Sequence, residues 1–200
     1  MICALAAGLA MAACEPDVAG PAMRPIDPWA DCPAGRSLYE LHLDADRRAE
    51  LTSGPITAGF VPARHYASVV SDLYFWVETT QGRYWFVITL SMGYSVTGIS
   101  PVTDPTRADA ATDGPREIEA ADGVASGSTL LLFDADGMPA EIPSSGDAGP
   151  EWILVPDLGP VLWYSPGDVT DRPASERDRL PTAFFRRSGC ADEAPALAWP

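Results

Sequence analysis

Residues 72–92 carry two runs of alternating apolar character on either side of one short polar break, a pattern that fits a β-hairpin and little else. Leu73, Phe75 and Val77 alternate with Asp72, Tyr74, Trp76 and Glu78. Beyond Gln81-Gly82, Tyr84, Phe86, Ile88, Leu90 and Met92 alternate with Trp85, Val87, Thr89 and Ser91. Folding about Gln81-Gly82 sets Val77 opposite Phe86, Phe75 opposite Ile88 and Leu73 opposite Leu90. Both apolar sets then fall on one face.

The opposite face of this ribbon is also aromatic. Tyr74, Trp76 and Trp85 project away from the Phe75/Phe86 side, with Trp76 and Trp85 expected diagonally across the strands. If open to solvent, such a platform suits stacking on a sugar ring or anchoring a protein partner. If another layer covers it, it is the second half of a core.

Further strands are expected at Ser37–Leu43, Val96–Val102, Thr129–Phe133, Trp152–Val155, Val161–Tyr164 and Thr182–Arg186, each short, aliphatic or aromatic, and bounded by Gly or Pro. Ser37-Leu-Tyr-Glu40 also reads as a capping box, the opening of a helix. Helical turns are expected at Asp44–Thr52, Pro62–Val70 and Pro173–Leu180. Segments Thr103–Arg116 and Pro143–Pro150 read as surface loops. With 20 Pro, 17 Gly and no long amphipathic stretch, a helical bundle is excluded. The expected fold is mainly β: a single-domain β-sandwich or partly open barrel with a few short helices.

The N-terminus predicts an address. Residues 1–13 include the uncharged apolar run Ile2–Ala13, which has the length of a signal-peptide core and is too short to span a bilayer. It ends in Met11-Ala12-Ala13-Cys14, which resembles the bacterial lipobox. That resemblance implies cleavage before Cys14 and acylation of its thiol, a membrane anchor facing the periplasm or set in the outer membrane. The alternative is an ordinary secretory leader and a soluble periplasmic product. No Lys or Arg precedes the run, a departure from the signal pattern that a start codon upstream would explain. Residues 14–31 hold Pro16, Pro21, Pro25 and Pro28 and read as an extended tether. Residues 32–200 are then the globular domain. Its two cysteines, Cys32 and Cys190, admit one pairing and are expected to form a disulfide in an oxidising compartment.

Charge and composition remove whole classes of function. The formal net charge of −15 repels nucleic acid, so no nucleic-acid partner is expected. All thirteen cationic residues are Arg, with neither Lys nor Asn in the chain, which excludes Schiff-base, P-loop and Ser-x-x-Lys chemistry.

The remaining motifs are weak. Asp134-Ala-Asp136-Gly137 has the look of a calcium loop, but the first and twelfth positions would be Leu132 and Pro143, so it reads as a tight turn. Gly93–Gly98 has one residue too many for a nucleophile elbow. Only His42 and His65 offer a base, and the pairs Asp44/Asp46 and Glu117/Glu119 read as solvated carboxylates. No metal, cofactor or catalytic residue is assigned. The expected function is an exported envelope lipoprotein, a non-catalytic binding or structural module for a carbohydrate or envelope-protein partner. The alternative is a secreted hydrolase acting on cell-wall or sugar substrates.

Overall fold

Among the described residues nine strands follow one another: β1 (Ser37–Leu41), β2 (Thr57–Pro62), β3 (Leu73–Thr79), β4 (Gly82–Leu90), β5 (Thr97–Val102), β6 (Ser128–Thr129), β7 (Leu131–Phe133), β8 (Trp152–Leu154) and β9 (Phe185–Cys190). The computed structural model describes residues 28–47, 54–63, 68, 70–90, 97–107, 114–119, 127–171, 177–194 and 196–197. A helix, α1 (Leu158–Tyr164), and two short 3-10 turns, Ala34–Arg36 and Pro166–Asp168, complete the named elements.

All strands pair antiparallel in one sheet ordered β6-β5-β4-β3-β2-β1-β9-β8-β7. The two terminal strands of that order are separated in the chain by Leu130 alone. Residues 128–133 therefore pair with β5 on one side and with β8 on the other, and Leu130 itself donates its N–H to Thr97 O at 2.9 Å. The sheet nearly closes into a barrel, which removes the exposed edges an open sheet would present. Among the described strands, β1 and β9 alone are neighbours without being consecutive in the chain, and the Cys32–Cys190 disulfide, with a Cα separation of 5.8 Å, lies at that seam.

Period-2 alternation fills the interior. Tyr39, Phe60, Phe75 and Phe86 form an inward row across β1–β4, at most 1 % exposed, with successive ring centroids 5.9, 5.4 and 6.1 Å apart. Ile88, Ile99, Leu132, Ile153 and Phe185 continue the same core around the barrel.

The hairpin pairs two residues away from the expected register. Phe75 lies opposite Phe86, Trp76 directly opposite Trp85, and Val77 opposite Tyr84. The turn is centred on Thr80-Gln81, where the Thr79 hydroxyl accepts the Gln81 N–H at 3.1 Å. Gly82 closes the turn at φ 137°, a backbone region only glycine occupies easily. A shift of two keeps every side chain on its face, so alternation alone cannot separate the two registers.

Other departures have local causes. Val161–Tyr164, expected as a strand, belongs to α1, which buries Leu158 and Leu162 at helical i,i+4 spacing. Pro160 stands in its first turn, where a missing N–H costs nothing. The sequence gives little sign of β2, because Ala58, Gly59 and Pro62 are poor strand formers. Gly59 is required there: a Cβ would meet the Trp76 indole at 2.7 Å. Pro62 ends β2, and most of the helical turn expected from it lies outside the described residues. Of Asp44–Thr52, residues 45–47 are helical, with the Arg47 N–H on Asp44 Oδ1 at 2.8 Å. Residues 177–180 are not helical, and β9 starts three residues later than the strand expected from Thr182. The Asp134–Gly137 segment is a tight turn, with Asp134 Oδ1 accepting the N–H groups of Asp136 and Met138 and Gly137 at φ 76°.

Candidate binding surface

Among the described residues, polar side chains and loops lie at both ends of the barrel over a packed interior. At one end α1 and residues 177–181 lie across the opening, with Leu158, Leu162 and Leu180 joined to the main core. Asp178, 3 % exposed, accepts hydrogen bonds from the Tyr84 hydroxyl at 2.9 Å and from the Thr79 hydroxyl. At the other end the segment Pro143–Pro150, expected as a surface loop, is tied in. Ala34 N–H donates to Asp147 O, Gly35 N–H to Ser145 O, and the Tyr39 hydroxyl to Pro150 O at 3.0 Å. Beside it Arg187 and Glu151 form a buried ion pair at 3.0 Å, and Arg187 also donates to Gly149 O at 2.7 Å. Each of these buried carboxylates is committed to holding the fold.

The outer wall over β2–β5 is covered. Tyr74, Trp76 and Trp85, the candidate ligand residues, are 3, 4 and 2 % exposed and cluster with Val61, Val87 and Val102. Ala63 and Leu197 pack against them. Arg83 lies over Trp76 at 4.3 Å and Trp85 at 5.6 Å from the ring centroids, and is held by Glu78 at 2.6 Å. Desolvation in this layer raises the Tyr74 phenol above its ordinary pKa. Both indole Nε1 atoms are buried without a hydrogen-bond acceptor among the described residues. Of the two readings of this face, the covered one holds: it is a second core layer.

An aromatic surface does lie open, on the other half of the barrel. Along β7, β8 and the start of β9, the residues between buried Leu132, Ile153 and Phe185 point outward. Phe133 stands opposite Trp152, and Trp152 opposite Arg186. Phe184, 42 % exposed, meets Phe133 at 5.7 Å and Trp152 at 6.2 Å between ring centroids, both edge to face. His42 closes the group, its ring edge-on to Trp152 at 5.6 Å and its backbone N–H donating to the Phe184 carbonyl oxygen at 2.7 Å. The Arg186 guanidinium lies 5.1 Å from the Trp152 centroid and is tied to Glu151 at 3.3 Å. Each ring is wedged by its neighbours yet keeps surface toward solvent. Four separate stretches of chain supply these residues, so no local motif announces them. The available signal was the bulky outward positions in Leu131–Phe133 and Trp152–Leu154.

The other candidates disperse. His65, Cys14 and most of the Gly93–Gly98 segment lie outside the described residues. Among the described residues, no cluster of three or more His, Cys, Asp or Glu side chains is placed to hold a metal ion, and no helix is long and apolar enough to cross a membrane. Compared with known protein families, curated proteins and solved structures, the chain matches none.

Proposed function

We propose that this chain is an exported envelope lipoprotein, anchored through Cys14, that binds a cell-envelope glycan without chemically altering it. The observation that carries the reading is the half-open group of Phe133, Trp152, Phe184 and His42 on a barrel whose other aromatic wall is covered. Rings fixed by edge-on neighbours lose little freedom on binding and offer apolar faces to the C–H side of a sugar. Arg186 and the exposed His42 supply donors at the rim for hydroxyl groups. The disulfide suggests an oxidising extracytoplasmic space, in keeping with the signal-like leader and the lipobox-like Met11–Cys14.

Co-sedimentation with purified cell-wall sacculi and with insoluble polysaccharides tests the binding. The wild-type chain should pellet with at least one of them, and Trp152→Ala and Phe184→Ala should remain in the supernatant while keeping a native circular dichroism spectrum. Retention by none of these glycans, together with specific capture of an envelope protein lost in Trp152→Ala, would replace the glycan with a protein partner. Anchoring is tested separately by palmitate labelling in a bacterial host, which should be abolished in Cys14→Ser.

A further inference from the structure

The end of the barrel closed by α1 bears a groove of about 350 Å³ lined by Gly159, Trp163, Asp178, Arg179, Leu180 and Pro181. Its size is at the small end of the range for sites that take small organic ligands. Residues 177–180 alternate, Arg177 and Arg179 exposed, Asp178 and Leu180 buried, so the extended chain turns both guanidinium groups to one side. That side holds Trp163, with the Arg177 and Arg179 Cζ atoms 5.4 and 5.2 Å from its ring centroid.

Among the described arginines, Arg177 and Arg179 share with Arg36 and Arg116 the lack of a carboxylate partner within 4 Å, but these two alone lie over one indole. Acidic residues number 28 against 13 arginines. Arg47, Arg83, Arg107, Arg186 and Arg187 each meet a carboxylate within 4 Å. Among the described residues Arg177 and Arg179 meet none, and the carboxylate between them in the chain, Asp178, is turned inward onto Thr79 and Tyr84. Two like charges thus share one indole at the rim of a groove, with no counter-charge against them among the described residues. An oxyanion placed there accepts hydrogen bonds from both guanidinium groups and relieves their mutual repulsion. The net charge of −15 opposes this only over distance, because at physiological salt charges beyond about 8 Å are largely screened.

We propose that this groove binds an oxyanion, phosphate or carboxylate, carried on a sugar-sized organic group. The oxyanion sits between Arg177 and Arg179, and the organic part lies against Leu180 and Pro181. The site is independent of the aromatic surface around Trp152.

Titration of the full chain with glucose 6-phosphate, glucuronate and glucose, followed by calorimetry and by tryptophan fluorescence, tests this. At least one anionic sugar should bind at least about tenfold more tightly than glucose, and 0.5 M NaCl should weaken it; the tighter of the two identifies the oxyanion. The double variant Arg177→Ala/Arg179→Ala alters only exposed side chains and should lose about tenfold or more in affinity. Should its melting temperature shift, Arg177→Gln/Arg179→Gln carries the same comparison. Trp163→Phe should remove the fluorescence change, whereas Trp152→Ala should leave binding intact. The proposal is overturned if neither anionic sugar binds, if glucose binds as well as they do, or if both charge-removing variants bind like the wild type.

Discussion

Trp76 and Phe86 lie on opposite faces of the same ribbon and are both buried, at 4 % and 0 % exposure. A side chain removed from either face leaves a cavity in a packed layer, so Trp76→Ala and Phe86→Ala should each cost about 3–5 kcal/mol in urea denaturation. A nearly neutral Trp76→Ala would mean that the outer layer opens in solution and that the ligand role first expected of Trp76 and Trp85 returns. Tyr74 in the same layer reports through pH. Burial raises its pKa above the ordinary 10.0, so the folded state holds the phenol proton that the unfolded chain gives up first. Its contribution is therefore fully present below pH 10 and is lost as pH rises through the folded-state pKa. The alkaline fall in melting temperature should be shallower in Tyr74→Phe than in the wild type; parallel curves would exclude Tyr74 as its source. At this scale the sequence was legible for which residues face together. It was silent on whether the outer face is covered, because coverage depends on Leu197 and Ala63, which come from elsewhere in the chain.

The hairpin was legible as an element and misread by one step of its own periodicity. Alternation has period 2, so it assigns faces and leaves every even shift degenerate; the turn chemistry at Thr79–Gly82 breaks the tie. A double-mutant cycle separates the registers. Phe75 and Phe86 face each other at 6.1 Å and should couple by about 0.5–1.5 kcal/mol, more strongly than Phe75 and Ile88. Stronger coupling to Ile88 would restore the register first expected. The same limit explains α1 and β2. Val161–Tyr164 is too short for period 2 and period 3.6 to be told apart, and Thr57–Pro62 obeys a tertiary demand, space for the Trp76 ring at Gly59, that local propensity does not register.

At the scale of the whole molecule, closure raises a problem that only one seam has to solve. Every neighbouring pair among the described strands is consecutive in the chain except β1 with β9, and the two cysteines at that seam are separated by 158 residues. That contact carries the largest loop-closure cost in the fold, and the disulfide reduces it by constraining the unfolded chain at the same place. The pairing of Cys32 with Cys190 was readable by elimination, whereas the seam it restrains was not, since strand order is not written in any local pattern. The chain-entropy model puts the stabilisation at no more than about 5 kcal/mol, so Cys32→Ala/Cys190→Ala should fold with a lower urea midpoint. The loss should also be local at first. Amides of β1 and β9 should exchange with solvent faster in the variant, while those of β3 and β4, joined by a two-residue turn and paired from Tyr74–Thr79 to Gly82–Val87, keep their protection until global unfolding. Hydrogen exchange read by mass spectrometry distinguishes the outcomes. Equal acceleration in β3–β4 would show that the disulfide stabilises the barrel as one unit and that β1–β9 is no weaker than the other strand pairs.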